Sequence, residues 1–288
     1  MHADTLSRLA CAFLLALSML PASSGAAEDE EALPIHLTLR VPSKILAETR
    51  VINIHVPPGY DSKAEKTYPV LYMPDGGIRE DFPHVAQALD ELTASGEIPP
   101  MLLVGIENTE RRRDLTGPTM VASDRDIAPT VGGSAAFRGF VADELMPLVR
   151  TLYKVNDETA IIGESLAGLF VVETLFVQPA LFDAYIALDP SLWWNAQQWW
   201  REAGSRLNAM QDIDVRLLLA SAGDSGEATA NLADALCRNP KAGFSWTHAP
   251  RSDLRHDNIY RGMEHAVLRQ MFSGQPLPAP DCTDVSTD

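Results

Sequence analysis

From about residue 68 the apolar residues of this chain form short solid runs that alternate with longer stretches of helical spacing. The runs are YPVLYMPDGG (68–77), MLLVGI (101–106), TAIIG (159–163), DAYIALDP (183–190), DVRLLLASAG (214–223) and FSWTHAP (244–250). Between them lie HVAQALDELTASG (84–96), SAAFRGFVADELMPLVRTLY (134–153), LAGLFVVETLFV (166–177), AQQWWREAGSRLNAM (196–210), GEATANLADALCR (226–238) and MEHAVLRQMF (263–272). Short apolar runs suit strands covered on both faces, and strand–helix alternation predicts a mostly parallel sheet with helices on each side. Two earlier segments, IHLTLRV (35–41) and TRVINIHVPPGY (49–60), partly alternate apolar and polar positions. They predict an antiparallel edge before the parallel winding begins. In such an α/β sheet the ligand crevice lies beyond the carboxyl ends of the strands. That places Ser165, Asp75, Gly76, Gly77, Asp189 and Asp224 at the crevice, each just after a predicted strand. His256 falls in the loop between the last strand and the last helix.

The start of the chain departs from this rhythm. Arg8 is followed by LACAFLLALSML and then by small residues up to Ala27. A basic residue, an apolar core and small residues read as a signal peptide over 1–27. The apolar run is shorter than the roughly 20 residues a membrane span needs. Residues 28–288 are then expected to be one catalytic domain, secreted or periplasmic. The formal net charge of −16 repels phosphate and so argues against nucleic acid or anionic membrane as partner. Of the three cysteines, Cys11 lies in the leader, which leaves Cys237 and Cys282. In an oxidising space these two are expected to pair. No His/Cys/Asp cluster has metal-ligand spacing, so neither metal nor cofactor is expected. Nothing in the sequence specifies an oligomeric state.

The chemistry centres on IIGESLAG (161–168), where a strand-like run meets a helix-like one. A serine on a tight strand–helix turn needs an unusual backbone angle and small residues two positions to either side. Gly163 and Ala167 supply them, although the strict pattern has a second glycine. The following helix N-terminus favours a developing oxyanion beside the serine. Ser165 is therefore the candidate nucleophile, and it needs a base. His36 and His55 lie in early strands, His84 near a helix start, His248 among Phe244 and Trp246, and His265 inside the last helix. His256 has the loop position that the chain order nucleophile–acid–base requires. For the acid, Asp224 in AGDSGE ranks first and Glu227 second. Asp189, after the preceding strand, ranks third.

These segments, together with GIENTERRRDLTGPT, VADELMPLVRTLYKV, FDAYIALDPSLWWN and RHDNIYRGMEHAVLRQMF, resemble the Putative esterase family of α/β-hydrolases. That family includes esterase D, feruloyl esterases and trilactone siderophore esterases, and the resemblance runs from about residue 35 to 273. It implies an α/β-hydrolase fold and an exported serine carboxylic-ester hydrolase acting on a small-molecule ester through an acyl-enzyme. It gives Ser165 as nucleophile and His256 as base. The oxyanion hole would use the N–H of Leu166 and one from the Gly76–Gly77 turn. Some siderophore-esterase relatives work as a Ser–His pair, so the acid is Asp224, Glu227, Asp189 or none. RRRDLT resembles an arginine-bearing loop near the site of such relatives. Of Arg111, Arg112 and Arg113, the last is taken as substrate-binding, with Trp193 and Trp194 as walls of an apolar pocket. Glu164 stands where relatives carry histidine or another residue. An acyltransferase of the same fold, or a silent ligand-binding homologue, is the alternative.

Overall fold

A computed structural model describes residues 33–211 and 214–283; the expected leader over 1–27 lies outside the described residues. The chain begins with strands β1 (Leu37–Ser43) and β2 (Glu48–His55), paired antiparallel. The winding follows as β3 (Tyr68–Pro74), helix α1 (Phe82–Ala94), β4 (Leu102–Ile106) and a short helix α2 (Arg111–Leu115). Helices α3 (Ser134–Phe140) and α4 (Met146–Leu152) are joined through one wide turn of helix over 141–145. Next come β5 (Val155–Glu164), α5 (Leu166–Val177), β6 (Ala184–Leu188), α6 (Trp194–Arg201) and α7 (Ala203–Ala209). The chain finishes with β7 (Val215–Ala222), α8 (Glu227–Arg238), β8 (Phe244–Arg251) and α9 (Ile259–Phe272). The eight strands form one sheet in the order β1-β2-β4-β3-β5-β6-β7-β8. All pairs from β4–β3 to β7–β8 are parallel. This is an α/β-hydrolase fold, with the antiparallel edge where the sequence pattern puts it.

Period-two alternation divides the strands between two cores. Val70, Tyr72, Ile161, Tyr185, Ala187, Leu217 and Leu219 face one core, which is covered by α3, α5 and α8. Leu71, Met73, Ala160, Ile162, Ile186, Leu188, Leu218 and Ala220 face the other, under α1 and α9. Helix α5 is buried from Leu166 to Phe176. That explains why it reads as apolar all round. Its one charged residue, Glu173, is paired inside with Arg138 at 3.1 Å and accepts a hydrogen bond from the Ser134 hydroxyl.

Helix α2 and a turn of 3-10 helix over Ser123–Ile127 lie in a segment where the hydrophobic pattern predicts no element. Their order comes from ion pairs. Arg50 is fully buried in β2 and donates to Asp114 at 2.5 Å and to the Glu107 carbonyl at 3.0 Å. It thereby pins α2 to the sheet.

Cys237, near the end of α8, is bonded to Cys282, with Cα atoms 5.6 Å apart and a sequence separation of 45. The bridge ties the Pro-rich C-terminal stretch to the domain as expected from the cysteine count. On chain entropy a loop of this size is worth roughly 3 to 4 kcal/mol. Cys282→Ser is expected to lower Tm by roughly 5 to 10 °C and leave ester turnover unchanged. Thiol titration of the unreduced, denatured protein should find no free thiol at either position. Two free thiols would rule the bridge out.

Candidate active site

The sheet sets the parts of the site side by side. Ser165 follows β5, Asp189 follows β6, Asp224 and Ser225 follow β7, and His256 follows β8. These four strands are neighbours in that order, so their carboxyl ends form one row.

Ser165 has φ 58° and ψ −119°, a backbone region that side chains other than glycine rarely occupy. The turn is held from both sides. Ser165 N–H donates to the Leu188 carbonyl of β6 at 3.1 Å, and its own carbonyl accepts from Leu169 and Ser191 N–H, each at 2.9 Å. A Cβ on Gly163 would lie 2.7 Å from Ala167, which is why the neighbours must be small. The hydroxyl Oγ is 3.1 Å from Nε2 of His256 and 3.3 Å from Oγ of Ser191. Leu166 heads α5 and lines the same cleft. Its N–H belongs to the first turn of a helix, where amides lack intrahelical partners.

The far side of the imidazole meets Asp189. His256 Nδ1 is 2.5 Å from Asp189 Oδ2. The Asp189 side chain is 2% exposed and is also held by the Ala222 N–H at 3.1 Å and the Ser225 hydroxyl. Burial opposes ionisation of Asp189, but the hydrogen bonds from His256, Ser225 and Ala222 outweigh it and hold the carboxyl below its ordinary range. The bond to Asp189 in turn raises the imidazole's proton affinity. Burial works against that rise, and the charges of Glu164, Asp189 and Asp224 support it.

The structure corrects several expectations from the sequence. Asp224 is not on the ring: its Oδ1 accepts the backbone N–H of His256 at 2.9 Å, and its Oδ2 lies 3.8 Å from Arg255. Glu227 heads α8 and lines the cleft, while the acid bonded to the imidazole is Asp189. The Gly76 and Gly77 amides are already committed. Gly76 N–H donates to the Ile106 carbonyl at 3.0 Å, and Gly77 N–H donates to Glu80 at 2.7 Å. Gly76 is glycine for packing, since a Cβ there would sit 2.3 Å from Gly105. Arg113 points into the protein, bonded to Glu48 and Asp114 at 2.7 Å each. Arg111 and Arg112 line the cleft instead. Trp193 also lines it and is 45% exposed. Trp194 is 1% exposed, and its indole N–H donates to the Gly117 carbonyl at 3.0 Å.

The cleft has a volume of about 650 Å³. Ser165, His256 and Asp189 lie along it together with Ser191, Trp193 and Gln197. On its α2 side, Arg111 makes a two-pronged pair with buried Asp75, both bonds at 2.7 Å. Asp75 itself has φ 57° and also accepts from the Asn108 amide at 2.5 Å. Glu164, immediately before the serine, places Oε1 3.4 Å from His256 Nε2. Burial pushes this carboxyl up to about 7, against the pull of His256 and Arg111. Neither the Asp75–Arg111 pair nor the Glu164 contact has a sequence signal.

The family model for "Putative esterase" matches residues 43–265. The chain belongs to the Putative esterase family. Among curated proteins it is similar to ferri-bacillibactin esterase BesA of Bacillus subtilis, 33% identical over 44% of this chain and 49% of that protein. It is also similar to a siderophore triacetylfusarinine C esterase of Aspergillus fumigatus, 37% identical over 30% of this chain and 29% of that protein. The chain thus spans about half or less of the curated relatives it matches. Among solved structures it resembles an IroE-like serine hydrolase from Shewanella oneidensis, with a TM-score of 0.71 at 26% identity. That match covers 80% of this chain and 79% of the other. The Ser165 turn and the His256 loop lie where the sequence pattern expects them, whereas the contact of Asp189 with the imidazole follows from the order of the strands.

Proposed function

We propose that the protein is an exported carboxylic-ester hydrolase that works through an acyl-enzyme on Ser165. The observation that carries this reading is the hydrogen-bonded chain Ser165 Oγ, His256, Asp189 along the cleft. In the reaction, the Ser165 hydroxyl proton passes to His256 Nε2 as Oγ attacks the ester carbonyl carbon. The carbonyl oxygen becomes an oxyanion facing the Leu166 N–H at the head of α5. Collapse of the tetrahedral adduct expels the alcohol, which takes the proton from Nε2. A water then repeats the sequence on the acyl-enzyme, with His256 as base, and releases the acid. Asp189 holds the ring with Nδ1 protonated, so that Nε2 is the basic nitrogen.

Siderophore esters are the proposed substrate class. The curated relatives, which are siderophore esterases, support this, as does the cleft itself. Arg111, Arg112 and Trp193 line it, a set suited to a bulky ester with anionic and aromatic parts. The disulfide between Cys237 and Cys282 supports an oxidising compartment, and no helix among the described residues is long and apolar enough to cross a membrane.

The test is a phosphonate probe followed by a substrate panel of p-nitrophenyl esters, feruloyl esters and a catecholate trilactone. Mass spectrometry should place the adduct on Ser165, and the trilactone should be opened faster than the feruloyl ester. A folded protein that takes up no phosphonate would overturn the hydrolase reading. Labelling without trilactone hydrolysis would overturn the substrate class alone. Product analysis with added alcohol distinguishes hydrolysis from acyl transfer.

A further inference from the structure

Glu164 is the residue of the nucleophile turn to which the reaction above gives no task. It is the last residue of β5, its side chain is largely buried, and its carboxylate lies 3.4 Å from the nitrogen that faces Ser165. Among the described residues the imidazole is its one ion-pair partner at that range. Arg111 on α2, whose charge also acts on Glu164, is already paired with Asp75 through two hydrogen bonds. The other groups that face Glu164 are acidic: Asp75 after β3 and Asp81 before α1. Tyr260 of α9 lies on the same side and feels the same charges. Around His256, Asp189 follows β6, while Asp224 follows β7 and is paired with Arg255. The imidazole is therefore flanked by a carboxylate at each ring nitrogen, and among the described residues neither carboxylate has a lysine or arginine bonded to it.

We infer that Glu164 is a proton-sharing partner of His256, which retains a proton at Nε2 when the site is idle and stabilises the imidazolium formed in each chemical step. The accounting involves one proton. When the pair carries it, the proton sits on Nε2 beside ionised Glu164, or on Glu164 directed at Nε2. In both arrangements Nε2 cannot accept the Ser165 hydroxyl proton. Once that proton is lost to solvent, Nε2 is free and the nucleophile can be activated. When Ser165 gives up its proton, an imidazolium reappears 3.4 Å from the Glu164 carboxylate, an arrangement that attraction favours. No bond to a heavier atom changes in this exchange. Two groups this close titrate as a pair. Burial pushes the Glu164 carboxyl up to about 7, and the bond to Asp189 raises the proton affinity of the ring.

The sign follows. Glu164 favours the protonated ring, so removing its charge lets His256 lose its proton at lower pH. In Glu164→Gln the acid limb of kcat/KM is expected to move down by about half to one pH unit, the low end of the effect of a close opposite charge because the ring is half-exposed. The plateau rate should fall several-fold, since the imidazolium loses a stabilising charge. A readout free of turnover is NMR titration of the His256 ring in Ser165→Ala, with and without Glu164→Gln. The ring titration should fall by the same amount, with both proteins melting normally. An unmoved acid limb together with an unmoved ring titration would overturn the assignment. The inference rests on the Ser165–His256 reading. If Ser165→Ala kept full turnover, both would fall, whereas an inert Ser165→Ala with an unmoved ring removes only the role of Glu164.

Discussion

Ser165→Ala is expected to lower turnover of a simple aryl ester by roughly three or more orders of magnitude, about 4 kcal/mol of transition-state stabilisation, with the melting curve unchanged. The hydroxyl is the one atom of the turn that can form the acyl bond, and nothing packs on its loss: Oγ touches Nε2 and Ser191 Oγ. The backbone strain at φ 58° is carried by the seam between β5 and α5, so alanine inherits it and the fold survives. Residual hydrolysis would come from the helix N-terminus and from substrate binding. Burst kinetics with p-nitrophenyl acetate give the check. Near-normal turnover by a folded Ser165→Ala variant would remove the nucleophile assignment.

The second large effect separates two aspartates. Asp189→Asn should cost roughly a thousandfold in kcat/KM, while Asp224→Asn should cost about tenfold or less. An asparagine at 189 no longer enforces a protonated Nδ1, so the ring can turn its N–H toward Ser165 and present no lone pair. Asp224 accepts a backbone N–H from an exposed position, and an amide oxygen can do the same. The two variants compared side by side, with melting curves, decide the matter. The reverse ranking would restore Asp224 as the acid and show that the Asp189 contact is structural.

The distinction between these aspartates marks where local reasoning stopped. Strands and helices were legible because short solid apolar runs alternate with longer helix-length stretches, and Ser165 stood out because small residues crowd it. His256 was found by its loop. The carboxylate on the imidazole was different, since both Asp189 and Asp224 follow strands. The choice depends on which strand end lies nearer Ser165, and β6, not β7, is hydrogen-bonded to β5. Asp189 had one overlooked sign: it lies between a wholly buried strand and Pro190, whose Cα would be 3.0 Å from a Cβ on Gly168. That turn is packed directly against the nucleophile helix. Arg113 and Trp194 turn away from the cleft for a simpler reason. Successive residues on a helix point about 100° apart, so RRR and WW runs cannot all face one cleft. Segment 107–133 was unreadable because its order comes from buried pairs such as Arg50–Asp114, which bring together residues distant in sequence.

The bond between Cys237 and Cys282 has a topological meaning beyond its contribution to melting. It closes a covalent ring of chain containing β8, the loop with His256, and α9. A protease that cuts one peptide bond inside this ring does not release a fragment, because the two new ends remain joined through sulfur. The loop with His256 stays physically attached to the body that carries Ser165. A singly nicked molecule would keep its full mass on a non-reducing gel and split in two on a reducing one. Damage in this stretch of the protein therefore becomes separation only when a reductant arrives.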